Sequence, residues 1–341
     1  MISYRDWSRR EVVKSLSLAG GGVLLGGCFS GEDVAAETLE TTSIRLIQDP
    51  EFTVLCYAPQ YLADTFLEEE GFTDISYVPK IDGSEAQALV QGQADMSAAL
   101  AVDWVMPISQ NIPVVVLGGL HPGCVEIFAN DDVSTIRDLR GKRIGVSGMQ
   151  SPERFLLASI ASHIGLDPNA DIEWVFAHPL EWGPMLVNGD VDAIAAFPPM
   201  NQGLHEAGIG HVILNTTTDD PWRHYFCCMI AARRDYVEAH PVATKRALRA
   251  ILRANRLCTE QPEVAADRLV AKGVAPNRET ALYALHHIPY DAWRDYDAAD
   301  SIRFYALRLR EAGLITQTPE EILESGTNWG FFNELRSELS L

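Results

Sequence analysis

A twelve-residue pattern that occurs twice sets the tightest limit on what this chain can fold into. Leu89 to Leu100 reads LVQGQADMSAAL and Leu186 to Phe197 reads LVNGDVDAIAAF, with six of the twelve positions identical and no gap. In each copy an amphipathic helical run stops at a glycine, Gly92 or Gly189, the residue that enters left-handed backbone most readily. An aspartate follows, Asp95 or Asp192, and then a short run of small apolar residues suited to a buried strand. One repetition, 97 residues along the chain, does not build a solenoid, which stacks three or more short-period units. It implies two lobes of similar construction. Because both aspartates hold the same place in their copies, they read as turn-capping residues rather than as an acid and base pair.

The composition bounds the rest. A chain of 341 residues can bury a large core and divide into two compact units. Its formal charge is -20, which repels phosphate backbones and anionic headgroups and sets nucleic acid aside as a partner. Five lysines and the acidity together hint at a salt-adapted or GC-rich source.

The first residues read as an address. Arg9-Arg10 and Lys14 precede an apolar, Gly-rich run from Leu16 to Gly27 that is too short to span a bilayer. Ser8 to Lys14 resembles a twin-arginine export signal, and Leu25-Gly26-Gly27-Cys28 resembles a lipobox, in which Cys28 is lipidated. Residues 1–27 are therefore expected to be a signal segment, and 28–43 a polar, flexible tether. The expected location is the extracytoplasmic face of the cytoplasmic membrane, as a monomer held by lipid alone. Five cysteines remain: Cys56, Cys124, Cys227, Cys228 and Cys258. They show no zinc spacing, and whether the first four meet in space is left open.

Beyond Ile44, short apolar runs alternate with helical ones. This spacing predicts βαβ units and mostly parallel sheets flanked by helices. The first lobe is expected at 44–122 and 230–341. A second, 123–229, is inserted into it through hinge strands near 123–128 and 224–230. From Pro241 onward the signals are helical, and this tail is expected to pack on the first lobe.

DLRGKRIGV (Asp138 to Val146), the serine-bearing helix start after it, and LVNGDVDAIAAF resemble the type II periplasmic binding proteins. More narrowly they are similar to the nitrate, taurine and thiamine-precursor (NMT1-like) group of ABC-transporter substrate-binding proteins. The resemblance covers roughly 44–270. It implies a solute-binding receptor that closes about two hinge strands and delivers a sulfonate, aromatic acid or heterocyclic precursor to permease subunits.

The same resemblance places ligand on loops at helix starts, which Gly83-Ser84 and Gln150-Ser151, with Met149 beside them, match. Free N–H groups there favour an anion, although the serines equally suit capping. Ala99 ends a repeated strand and would let ligand approach backbone. Phe52, Thr53, Tyr57, Trp104, Phe197, Pro198, Trp222 and Tyr225 are expected near the cleft, with His121 and Gly123 at the first crossing. No metal, cofactor or catalytic residue is expected. The alternative is an enzyme similar to the thiamine-pyrimidine synthases of the same fold. These carry a cysteine-rich iron motif on the strand matching 225–230 and consume a histidine of their own first lobe. Here Phe226-Cys227-Cys228-Met229 keeps only two thiols, expected on opposite strand faces, and the helix matching the one that carries the histidine, Ala101 to Met106, offers Asp103 instead.

Overall fold

The computed structural model describes residues 38–48, 53–80 and 85–339. The expected signal segment, Cys28, Phe52, Gly83 and Ser84 lie outside the described residues. Ten strands are described, β1 (Ser43–Ile47), β2 (Asp74–Val78), β3 (Met96–Leu100), β4 (Val114–Pro122), β5 (Glu126–Ala129), β6 (Lys142–Val146), β7 (Ile172–Phe176), β8 (Ala193–Ala196), β9 (His211–Asn215) and β10 (Phe226–Arg233). They form two five-stranded sheets, ordered β2-β1-β3-β10-β4 and β7-β6-β8-β5-β9. The two orders correspond strand for strand, so the repeat seen in the sequence is a repeat of architecture.

Each sheet is mixed. In the first, β1 pairs parallel with β2 and β3, and β10 pairs antiparallel with β3 and β4. In the second, β6 pairs parallel with β7 and β8, and β5 pairs antiparallel with β8 and β9. The parallel half of each sheet is the βαβ part read from the sequence. The antiparallel half arises because β5 and β10 are the strands by which the chain enters the second sheet and returns to the first. Each therefore runs against its neighbours. β3, β4 and β8 are buried along their whole length, as strands covered on both faces require.

The repeated glycines do what their position demands. Gly92 and Gly189 both have positive φ, 69° and 73°, and stop their helices. The repeated aspartates do more than cap. Asp95 accepts from Arg45 N, Nε and Nη2, while Arg45 Nη1 donates to Gly92 O and Asp95 N donates back to Arg45 O. Asp192 accepts from Arg143 N, Nε and Nη2, while Arg143 Nη2 donates to Gly189 O and Asp192 N donates to Arg143 O. Each pair ties the start of a central strand to the turn that feeds its neighbour.

Two further details revise the sequence reading. Residues 40–43 are tied down: Glu40 accepts from the N–H groups of Val242 and Ala243, and Thr42 O accepts from Thr73 and Asp74. The helical tail also packs beyond the first lobe. The helix Ala298–Glu311 lies against the helix Pro152–His163 as well as against Ala101–Ser109, and Asn169 donates to Ala312 O.

Candidate functional site

Two adjoining cavities open between the sheets, of about 260 and 500 Å³, sharing Lys80, Glu85, Ser147 and Pro152. They lie beyond the carboxyl ends of the parallel strands, the position that open α/β sheets reserve for ligands. Ile47 ends β1, Leu100 ends β3, and Ser147 and Phe197 follow β6 and β8 directly.

In the smaller cavity the wall from the first lobe holds Tyr57, Gln60, Tyr61, Ser97 and Ala98. Gln60 is buried and fixed at both ends, donating to Ile47 O at 2.7 Å and accepting from Ala98 N at 2.6 Å. It therefore fastens the ends of β1 and β3 together at the cavity wall. The opposite wall holds Pro152, Glu153, His178 and Phe197. The larger cavity adds Asp103, Met106, Gly148, Gln150, Ser151 and Phe155.

Three carboxylates reach these cavities, each from the first turn of a helix: Glu85 (helix Glu85–Val90), Asp103 (Ala101–Ser109) and Glu153 (Pro152–His163). A carboxylate there complements the helix dipole. Glu153 Oε1 accepts from Ser147 N and Oγ, both at 2.6 Å. Glu85 Oε1 pairs with Lys80 Nζ at 3.2 Å. Glu85 Oε2 and Asp103 Oδ2 are buried and have no hydrogen-bond partner. Burial, reinforced by Glu85 and Glu153, pushes the Asp103 carboxyl well above the usual carboxylate range, against the pull of Lys80.

Of the residues singled out from sequence, Tyr57 and Phe197 line the smaller cavity and Gln150 and Ser151 the larger. Ala99 is buried in β3, and its neighbour Ala98 takes the wall position. Trp104 is buried in the first lobe with Nε1 donating to Met229 O. Trp222 packs edge-on to His163, and Tyr225 stacks on Phe304, both in the packing between the second lobe and the helical tail. Met149 is 51% exposed and lines neither cavity, as is true of Thr53. Pro198 accepts from Leu55 N across the two lobes and borders a separate small cavity. Gly123 has φ 51°, and a Cβ there would meet Thr217 Cα at 2.4 Å, so this glycine serves the crossing. Sequence reasoning missed Gln60, Tyr61, Lys80, Glu85 and Glu153 as wall residues. The signal was present: an acidic residue opens the helix after each cleft-facing loop.

His121 belongs to a different cluster. It is wholly buried, with Nε2 3.0 Å from Cys56 O and Nδ1 3.1 Å from Gly123 O. The thiols of Cys56, Cys124 and Cys228 surround it, and the ligand atoms of all four residues lie within 4.8 Å of one another. Cys227 Sγ is 3.0 Å from Cys124 Sγ. The expectation that Cys227 and Cys228 point to opposite faces fails because the register of β10 against β4 shifts between Phe226 and Cys228 and again before Met229. An irregularity of this kind re-aims side chains. Thiols and an imidazole form a soft donor set suited to a thiophilic ion, although both ring nitrogens already face carbonyl oxygens. Burial raises the Cys56 thiol, but contacts with Cys124, Cys228 and His121 prevail and bring it down to about 5. Cys56 also lines the smaller cavity, so the cluster abuts the site.

Residues 55–265 match the model of the family described as NMT1/THI5 like. No curated protein matches the sequence. The fold is similar to that of the alkanesulfonate-binding protein SsuA from Xanthomonas axonopodis pv. citri bound to MOPS, at 17% identity and a TM-score of 0.69. That match covers 85% of this chain and 100% of that one. The periplasmic nitrate-binding protein NrtA from Synechocystis PCC 6803 matches at 14% identity and a TM-score of 0.67, over 89% of this chain and 90% of that one. The periplasmic aliphatic sulphonate binding protein SsuA from Escherichia coli matches at 18% identity and 0.63, over 82% and 90%. At these identities the likeness shows a shared fold, that of the periplasmic binding proteins.

Proposed function

The chain belongs to the NMT1/THI5-like family, and from that footing we propose that it is the solute-binding receptor of an ABC importer. It captures one small organic molecule between its lobes and passes it to permease subunits. The observation that carries this reading is the pair of adjoining cavities between two matching sheets, walled from both. Extracytoplasmic placement and lipidation of Cys28 belong to the same reading, since an importer's receptor works outside the membrane. Among the described residues no helix is long and apolar enough to cross a membrane.

Thermal-shift screening against organic acids, sulfonates, amines and neutral heterocycles tests it. At least one solute is expected to raise the melting temperature in a dose-dependent way without being consumed. Conversion of a solute to product by the purified chain would overturn the receptor reading. The second reading is a metal-dependent enzyme, and the convergence of Cys56, His121, Cys124 and Cys228 is what favours it. Elemental analysis separates the two, because the receptor needs no stoichiometric iron and the enzyme does.

A further inference from the structure

The cleft holds more carboxyl groups than its structural duties require. Among the charged side chains that wall the two cavities, Glu85, Asp103 and Glu153 stand against a single lysine, Lys80, with His178 at the rim. Neutralising a helix dipole explains a carboxylate in a first turn. It does not explain taking one fully out of water with an oxygen left over, because an unpartnered buried carboxylate loses its solvation and gains nothing in return. Asp103 is 2% exposed and Glu85 8%, and each keeps one oxygen without a partner. Both residues wall the larger cavity.

Among the described features expected to greet an anion, Ser151 is engaged, its N–H and hydroxyl both donating to Gly148 O. At the start of the helix Pro152–His163, Glu153 already takes the N–H and hydroxyl of Ser147. Arg154 donates to Met149 O and lies over the Trp174 ring, and although its buried Nε has no partner it walls neither cavity. A bare metal ion fits no better. The group of described residues whose ligand atoms converge closely enough is the thiol and imidazole cluster, and it contains none of these carboxylates. Separated carboxylates beside Tyr57, Tyr61 and Phe197 suit a longer guest, with charge at one end and an apolar or aromatic body.

We propose that the solute is a small organic cation, a protonated amine or amidinium on an apolar body, held by Asp103 and Glu85. This deepens the receptor reading and rests on it. A cation in the cavity would also offset the burial and like-charge repulsion that hold the Asp103 carboxyl high.

The test uses matched probes on the full chain: benzamidine and benzylamine as cations, benzoate and benzenesulfonate as anions, and benzamide as the neutral form. Calorimetric titration is expected to show binding of the cations and none of the anions. Asp103→Asn and Glu85→Gln are each expected to weaken the cation at least about tenfold, the loss of one charge-assisted hydrogen bond. Asp103→Asn should meanwhile leave the melting temperature of the ligand-free protein unchanged or higher, a result that a purely structural aspartate would not give. If one variant fails to fold, the other decides. Tighter binding of the anions, or cation affinity unmoved in the variants that fold, overturns the proposal. Absence of cation binding overturns it too. In that case a stabilising anion or neutral heterocycle leaves the receptor reading intact, whereas no stabilising solute in the wider screen removes both.

Discussion

Asp192 shows how much one side chain contributes to this scaffold. Burial would raise its carboxyl, but the Arg143 N–H, the Arg143 guanidinium and the Asn130 amide prevail and hold it below its ordinary value of 3.8. The sign of the linkage follows. A carboxyl with a depressed folded-state value adds stability above its unfolded value and loses that contribution as pH falls through the folded one. Asp192→Asn is therefore expected to destabilise the protein near neutral pH and to differ little from the parent in strong acid. Asp95→Ala and Asp192→Ala should each cost about 1.5–3 kcal/mol, the range for hydrogen bonds to a charged partner. The arginines are partly exposed, 36% and 39% at the side chain, which keeps the cost below that of a fully buried pair. Urea unfolding at pH 7 and pH 3 checks both statements, and a loss of equal size at the two pH values would contradict the linkage.

At the level of elements, the crossings between sheets carry the tightest backbone geometry. Gly123 stands between β4 and β5 with φ 51°, and a Cβ there would lie 2.4 Å from Thr217 Cα. Thr216, next to it, accepts from Cys124 N and Val125 N and donates to Val125 O. Neither the backbone conformation nor the neighbouring backbone can yield cheaply. Gly123→Ala should cost about 2 kcal/mol or more, from left-handed strain and overpacking together. Denaturation midpoints at constant slope would show this, and a neutral result would mean that the crossing can shift.

The described residues are more continuous than a hinged pair of lobes suggests. One buried cluster runs from Ile44 and Leu46 in the first sheet through Leu120, Cys124 and Phe226 at the crossings to Val146 and Phe155 in the second lobe. The helix Ala298–Glu311 reaches across as well, with stacked contacts from Phe304 to Tyr225. Unfolding should accordingly follow a single cooperative transition. Far-ultraviolet and near-ultraviolet circular dichroism are expected to give the same midpoint in urea, and two separated transitions would mean that the lobes fold independently.

The sequence by itself determined the duplicated architecture. The repeat at Leu89 and Leu186 carries local information, a helix stop, a polar turn and a buried strand, and short-range preference suffices to read each. It also placed Tyr57 and Phe197, because both sit beside a turn or strand end that alternation alone locates. The tertiary structure decided everything that depends on distant segments meeting. Arg45 and Arg143 partner aspartates 50 and 49 residues away, and nothing local in the chain announces that pairing. Trp104, Trp222 and Tyr225 resemble cleft aromatics by neighbourhood yet point into packing, since side-chain direction follows from which elements cover which face. Cys227 and Cys228 obey strand alternation only until a register shift turns both toward Cys124. The acidity of the cleft belongs here too. Glu85, Asp103 and Glu153 are ordinary helix-start residues one at a time, and they come near each other only because two sheets bring three helix starts to two adjoining cavities.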